Sequence, residues 1–263
     1  MMLTNSLAKE NVLRFNPLNF KKLYRTEIAI EESPEDIIKI SYNVDVEVVE
    51  VYHNGSYLAS VTMNDFKING FEPDLMMEQL AHKCRKPLET VEFIVAANGV
   101  VTDIHNHPEI VEKWKAVKER LEMEYSGDNF EKYVSLTDTA MKDKDALLAG
   151  LKKDIFISQY FYPLYNEAFF DYSKRYVERI RFFNINYEID MMLKFQDNIS
   201  LSGNMSIIKE IDTKEYDLSK MPIDVYTSEY LLNSNMEILN INGRFENHGR
   251  KYIFRIMEKY GGN

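Results

Sequence analysis

One segment constrains the fold of this chain more than any other, because residues 183–195 alternate between apolar and polar side chains, with Met192 the one exception. Such alternation places successive side chains on opposite faces of a β-strand. A strand of this length extends over about 43 Å, roughly twice the usual length. The apolar positions are Phe183, Ile185, Tyr187, Ile189, Met191, Leu193 and Phe195. The segment predicts a long strand with one face against a core and the other against water.

Turn signals divide much of the remaining sequence into hairpins. Asn-Gly at residues 54–55 and 98–99 favours two-residue turns, and His-Gly at residues 248–249 predicts a third. A three-residue loop at 196–198 keeps apolar residues opposite apolar residues in the hairpin after the long strand. A break in the alternation at residues 48–49 predicts either a bulge or burial of both faces of the strand. The predicted cross-strand partners are Val48 with Val61, Phe93 with Ile104, Phe195 with Ile199 and Gly243 with Phe254.

Helical spacing of apolar residues dominates the middle of the chain. Pro108 opens a helix that extends to about Met123, and helical patterns return near residues 129–141, 144–152 and 155–162. A shorter helix is predicted near residues 73–83. These helices separate two groups of strands.

The fold class that follows is α+β. Long antiparallel strands form two blocks, at about residues 22–106 and 175–258, and a helical layer at about 108–172 packs on the sheet. Residues 1–19 form an N-terminal arm and residues 20–263 a single domain, with subdomains at 20–172 and 173–263 as the alternative. Whether the two strand blocks share one sheet is not decided by the sequence.

Bulk composition excludes several classes of function. A net charge of −10 argues against sequence-independent binding of nucleic acid, which needs a clustered cationic surface. The single cysteine, Cys84, fits a reducing compartment. No stretch is long and apolar enough to span a membrane, and the N-terminal residues lack the apolar region of a secretory signal. The sequence therefore predicts an acidic, cytoplasmic protein.

Aromatic residues are concentrated between Phe156 and Tyr176. Three interpretations are open: core packing of the helical layer, a surface for a protein partner, and a lining for an apolar ligand between sheet and helices. The candidate ligand- or partner-binding residues are Phe156, Tyr160, Phe161, Tyr165, Phe169, Phe170, Phe183 and Tyr187.

One spacing resembles that of metal ligands. On a strand, Asp103, His105 and His107 would project to the same side, and the turn at residues 98–99 places Glu92 opposite His105. Two imidazoles and two carboxylates on one patch can hold a divalent ion. The competing interpretation is a solvated strand face followed by a polar helix start at His107.

The sequence carries no motif that indicates a catalytic site or a cofactor. We therefore expect a non-enzymatic interaction or adaptor protein, a subunit of a larger cytoplasmic assembly with a protein partner. The open edge of a strand at residues 251–257 also predicts self-association. The first alternative is a carrier or sensor of an apolar small molecule, and the second is a metal-dependent hydrolase. The carrier predicts an enclosed pocket lined by Phe156, Tyr160, Phe183, Tyr187 and Met191.

Overall fold

The computed structural model of the protein describes residues 11–33, 35–180, 187–196, 203–212 and 223–259. Within these residues the chain forms thirteen strands. They are β1 (Asn11–Val12), β2 (Lys21–Ser33), β3 (Asp36–Val51), β4 (Tyr57–Ile68), β5 (Thr90–Val95), β6 (Val101–Ile104), β7 (Ala168–Phe169), β8 (Ser173–Ile180), β9 (Tyr187–Phe195), β10 (Met205–Ile211), β11 (Val225–Leu232), β12 (Ile238–Asn247) and β13 (Arg250–Glu258).

Helices occupy the middle of the chain, as predicted. They are α1 (Met76–Arg85), a 3₁₀ turn (Lys86–Leu88), α2 (His107–Glu124), α3 (Asp128–Lys142), α4 (Lys144–Leu151) and α5 (Ile155–Tyr160). Each predicted helix has its counterpart, with ends that differ by a few residues. Across the described residues, no helix has both the length and the apolarity needed to cross a membrane.

Eleven of the strands form one antiparallel sheet. Its order is β6-β5-β4-β3-β2-β13-β12-β11-β10-β9-β8, so the two strand blocks meet where β2 pairs with β13. This confirms the α+β class with long antiparallel strands. The predicted open edge at residues 251–257 is wrong, because β13 lies between β2 and β12 and both of its edges are paired.

Two of the predicted hairpin registers are confirmed. Phe93 lies opposite Ile104, and Gly243 lies opposite Phe254. At residues 248–249 a two-residue turn joins the paired residues Asn247 and Arg250, so the turn sequence fixes that pairing. In the β5–β6 hairpin the Ala96 N–H donates to the Val100 carbonyl across residues 97–99, and a register shift between Ile94 and Val95 restores the predicted pairing.

The other two registers were wrong. In β3 and β4, Val61 pairs with Val46 rather than Val48, because two one-residue shifts add together. Tyr57 pairs with Val51, so the turn is one residue longer than predicted, and the irregularity between Val48 and Glu50 supplies the second shift. In β9 and β10, Phe195 pairs with Ile207, eight residues beyond the predicted Ile199. An even shift keeps apolar opposite apolar, so alternation alone cannot fix the length of the loop.

Strand β9 is the described part of the long strand predicted at residues 183–195. Its residues Ile189, Met191 and Leu193 are fully buried, as the alternation predicts for the apolar face. Residues 183–186, the first part of the predicted strand, lie outside the described residues.

Helix α5 lies against the inner face of the sheet and is buried on nearly all sides. Asp154 caps it by accepting hydrogen bonds from the Phe156 and Ile157 N–H groups, at 2.8 and 3.2 Å. Tyr42 of β3 donates to the same carboxylate at 3.0 Å, and the hydroxyl groups of Tyr24 and Tyr160 lie 3.2 Å apart. These contacts fix α5 on the centre of the sheet.

The sheet curves around α5, so that its two outer strands approach one another. Val101 of β6 and Val177 of β8 line the same cavity, although these strands stand at opposite ends of the strand order. Strands β6 and β8 therefore lie on either side of one cavity, next to α5.

Candidate functional site

A fully buried lysine lies on the inner face of the sheet, next to α5. Lys209 of β10 follows Ile207 and precedes Ile211, and all three side chains occupy the apolar phase of the strand. The Lys209 side chain has no exposed surface. An unpaired ammonium group in such a place is very costly, so the surrounding groups must compensate its charge.

All three N–H groups of the Lys209 ammonium have acceptors. The Nζ atom lies 2.7 Å from the Tyr226 hydroxyl, 2.9 Å from Gln159 Oε1 and 3.4 Å from Glu178 Oε2. It also lies 4.2 Å from the centre of the Tyr162 ring, a distance at which the ring face attracts a cation.

Glu178 of β8 receives hydrogen bonds from two tyrosines in addition to its contact with Lys209. The Tyr226 hydroxyl donates to Oε1 at 2.7 Å, and the Tyr162 hydroxyl donates to Oε2 at 2.9 Å. Gln159 of α5 connects the group further, since its Oε1 accepts from Ser228 at 3.1 Å. We call Lys209, Glu178, Gln159, Tyr162 and Tyr226 the buried polar cluster.

Burial shifts the pKa values in this cluster. Desolvation lowers the pKa of Lys209, and the carboxylate of Glu178 opposes that effect. Desolvation also raises the pKa of Tyr226 well above its usual value, and the charge of Glu178 adds to the rise. A buried ion pair contributes little net stability compared with apolar residues of similar size. The stability of the fold alone therefore does not account for the cluster.

A cavity of about 350 Å³ borders this cluster. Ile157 and Phe161 come from α5 and the residue after it, Val101 from β6, and Tyr176 and Glu178 from β8. We call it the β6–β8 cavity. Its volume lies at the lower end of the range for small-molecule sites, about 300–1,000 Å³. Its lining combines apolar side chains with a small number of polar and charged ones, which is the usual composition of such sites.

A larger trough of about 780 Å³ lies on the opposite face of the sheet. Side chains of both signs line it, among them Glu27, Lys39, Glu229, Arg244 and Arg255. The mixture gives no single charge preference.

Most of the aromatic residues predicted to bind a ligand or partner form the core instead. Phe156, Tyr160, Phe161, Tyr165 and Phe169 are buried, so they present no surface to a protein partner. The space beside Tyr160, Phe161 and Tyr165 is about 10 Å³, roughly the volume for one water molecule.

The remaining predicted aromatic residues divide between surface and undescribed chain. Phe170 is exposed. Phe183 lies outside the described residues, and Tyr187 begins β9 with a side chain that is also outside them. A ligand-lining role remains a prediction for Phe161, which borders the β6–β8 cavity.

The structure does not assemble the predicted metal ligands. Strand β6 ends at Ile104 and α2 begins at His107, so the alternation that would align Asp103, His105 and His107 stops after the first of them. Glu92 does lie opposite His105, whose N–H donates to the Glu92 carbonyl at 2.7 Å.

The side chains of this set point to different partners. Asp103 binds Lys144 at 2.6 Å, and His107 Nε2 lies 2.9 Å from the Met141 carbonyl. Desolvation opposes ionisation of Asp103, but hydrogen bonds from Lys144 and the Ile104 N–H outweigh it and lower its pKa. No group of three or more His, Cys, Asp or Glu side chains that could hold a metal occurs in the described ranges.

The buried polar cluster was missed by the sequence argument, although a signal for it exists. Lys209 interrupts an apolar series at positions 205, 207 and 211 of one strand. Gln159 similarly stands in a helix whose other buried members are apolar or aromatic. A polar residue in the apolar phase of an element indicates a buried polar contact.

Comparisons with known proteins identify no family. No protein-family model matches the chain. A search of curated proteins found no match. A structure of lipovitellin, described for its lipid–protein interactions, is similar with a TM-score of 0.49 and 11% identity over 94% of this chain, which spans 26% of the lipovitellin chain. A domain assigned as an outer membrane lipoprotein-sorting protein from Vibrio parahaemolyticus is similar with a TM-score of 0.22 and 6% identity, covering 92% of this chain and 87% of that domain. Neither likeness is strong enough to carry a functional conclusion.

Proposed function

We propose that the protein is a carrier or sensor that holds a small apolar or amphipathic molecule in the β6–β8 cavity. The observation that carries this proposal is the position of the buried polar cluster on the wall of that cavity. A buried lysine and its carboxylate are expensive to maintain, and apolar residues would stabilise the fold as well or better. Their presence beside a ligand-sized cavity fits a binding role.

The proposed site differs from the pocket expected from the sequence. Phe156 and Met191, two of the expected lining residues, are fully buried and border none of the cavities described above. The binding space instead follows one edge of β8, the last strand in the order of the sheet among the described residues.

Binding of Nile red, a neutral apolar dye, tests the proposal. Val177 is largely exposed and lines the cavity, so Val177→Trp fills the space without disturbing the core. The matched control is Val49→Trp, at another largely exposed strand valine remote from the cavity lining. We expect wild type and V49W to bind the dye with equal affinity and V177W to bind it at least tenfold more weakly. Equal affinity in all three proteins, or no binding by wild type, would contradict the proposal.

An adaptor role is a second candidate, supported by an exposed apolar segment. Phe71, Leu75, Met76 and Met77 are each more than half exposed, and they lie within one turn and the start of α1. Contiguous exposed apolar surface of this kind is typical of protein interaction sites.

Site-specific photo-crosslinking tests the adaptor role. A benzoylphenylalanine at position 71 should crosslink a discrete protein in cells. The same group at position 136, an exposed leucine on α3, should not. Identical crosslinking patterns from the two positions would contradict this candidate.

A further inference from the structure

The β6–β8 cavity carries more positive than negative charge on its walls. Lys152 and Lys153, in the turn between α4 and α5, line it together with Arg179 of β8. Among the described residues that line the cavity, Glu178 is the only acid. Lys209 lies 3.4 Å from that acid and balances its charge.

Arg179 is held by an ion pair that a ligand can replace. Its guanidinium lies 2.7 Å from Glu188, and both side chains are about half exposed, at 52% and 59%. Water screens such a surface pair, so little is lost when the arginine turns to another anion. Lys153 is likewise exposed at the cavity wall.

Residues from both faces of β8 line the cavity. Tyr176 and Glu178 belong to the inward phase of the strand, whereas Val177 and Arg179 belong to the outward phase. Both phases reach one cavity only along the edge of a strand. A molecule in the cavity therefore meets the apolar inner wall and the cationic outer wall at the same time.

We propose that the ligand is an amphipathic anion; this inference rests on the binding function proposed above. Its aliphatic body lies on the wall formed by Ile157, Phe161 and Val101. Its carboxylate or similar acidic head lies at Lys153 and Arg179. Because Lys209 balances the charge of Glu178, the cations Lys153 and Arg179 determine which head group binds. Charge complementarity sets the class of ligand, and the apolar wall supplies the contact area.

A series of probes with one tail and different heads tests this inference. Dodecanoate and dodecyltrimethylammonium below their micelle concentrations, and dodecanol below its solubility limit, are each titrated against Nile red bound to the wild-type protein at low ionic strength. We expect dodecanoate to bind at least tenfold more tightly than dodecanol, and the cation to bind most weakly. The advantage of dodecanoate should shrink in 1 M salt, where the screening length falls to about 3 Å. Acetate, which has the head without the tail, should not displace the dye.

Matched variants localise the effect. The double variant Lys153→Gln with Arg179→Gln should bind dodecanoate about tenfold more weakly than wild type. Its affinity for dodecanol should not change. Lys115→Gln with Arg250→Gln, at two exposed cations outside the cavity, should change neither. V177W should abolish binding of dodecanoate.

The possible failures are distinguishable. Equal binding of dodecanoate and dodecanol, or unchanged dodecanoate binding in K153Q/R179Q, overturns the anionic class while the binding function stands. Dodecanoate binding that survives in V177W places the ligand elsewhere and also overturns the inference. Failure of every probe to displace the dye, with no dye binding by wild type, overturns the binding function itself.

Discussion

The ring of Phe254 on β13 covers the backbone of Gly243 on the neighbouring strand β12. A Cβ atom at position 243 would lie 2.0 Å from Cζ of that ring, far inside any real contact. An aromatic ring placed over a strand glycine shields backbone that is otherwise bare. The pair lies near the middle of the sheet, next to the junction of β13 with β2 where the two strand blocks meet.

Gly243→Ala should destabilise the protein by about 1–3 kcal/mol, because the ring must leave its rotamer or the strands must separate. Urea unfolding followed by circular dichroism measures the effect. Gly150→Ala is the matched control, since a Cβ there meets nothing within 4 Å and the position is helical. The free energy of unfolding of this control should rise by up to about 1 kcal/mol. Equal stability of G243A and wild type would contradict the close contact.

Removal of one member of the buried ion pair should cost more than removal of both. Lys209→Met leaves the Glu178 carboxylate without its cation and should lower the free energy of unfolding by about 3–5 kcal/mol. Combining it with Glu178→Leu should recover most of the loss. Lys194→Met is the control, because Lys194 forms an exposed pair with Glu210 on the adjacent strand. It should cost less than about 1 kcal/mol. A single K209M variant as stable as wild type would contradict the pairing.

Titration of the Asp154 carboxylate should make the free energy of unfolding depend on pH. Desolvation raises its pKa in the folded state, although Arg85 and the hydrogen bonds at the start of α5 oppose the rise. The folded protein then retains the proton where the unfolded chain has released it. Stability from this group is therefore present below about pH 3.8 and is lost as pH rises through the folded-state pKa.

Asp154→Asn should remove this dependence and keep the cap, since its Oδ1 still accepts from the Phe156 N–H. Relative to D154N, wild type should become less stable as pH rises from 3 to 7, as measured by urea unfolding at each pH. Asp154→Ala loses the acceptor and should be less stable than D154N by about 1–2 kcal/mol. A constant difference between wild type and D154N across this range would contradict the shift.

Cys84 should resist thiol reagents in the folded protein. Its side chain is buried, and desolvation raises the pKa of the thiol to about 11. Since the thiolate is the reactive form, reaction with Ellman's reagent at pH 8 should be slow in buffer and rapid in guanidinium chloride. Equally fast reaction under both conditions would show that the thiol is accessible.

The sequence predicted the elements well because their patterns are local. Alternation, Asn-Gly turns and helical spacing each depend on neighbouring residues, and they located the strands, the helices and the registers around Gly99 and Gly249. The pairing of β9 with β10 was missed because the loop length is decided by distant contacts. The aromatic concentration was correctly located, but composition could not separate core rings from surface rings such as Phe170.

Local sequence patterns could not predict the candidate site, because its residues are far apart in the chain. Lys209, Glu178 and Gln159 come from a late strand, an earlier strand and a helix, and they meet only when the sheet curves around α5. Considered one at a time in the sequence, each of these residues is an ordinary polar residue. The metal hypothesis erred in the opposite direction, because it extended a strand past Ile104 to a helix start.

The pairing of β2 with β13 joins Glu31 to Lys251, so the two halves of the sheet close between residues 220 positions apart. At a translation rate of about 5–20 residues per second, an early strand waits on the order of ten seconds or more for its partner. Until then the first five strands of the sheet, β2 to β6, present the unpaired edge of β2 to the surroundings. Nascent chains, rather than the finished molecule, are therefore where this fold is most exposed to aggregation.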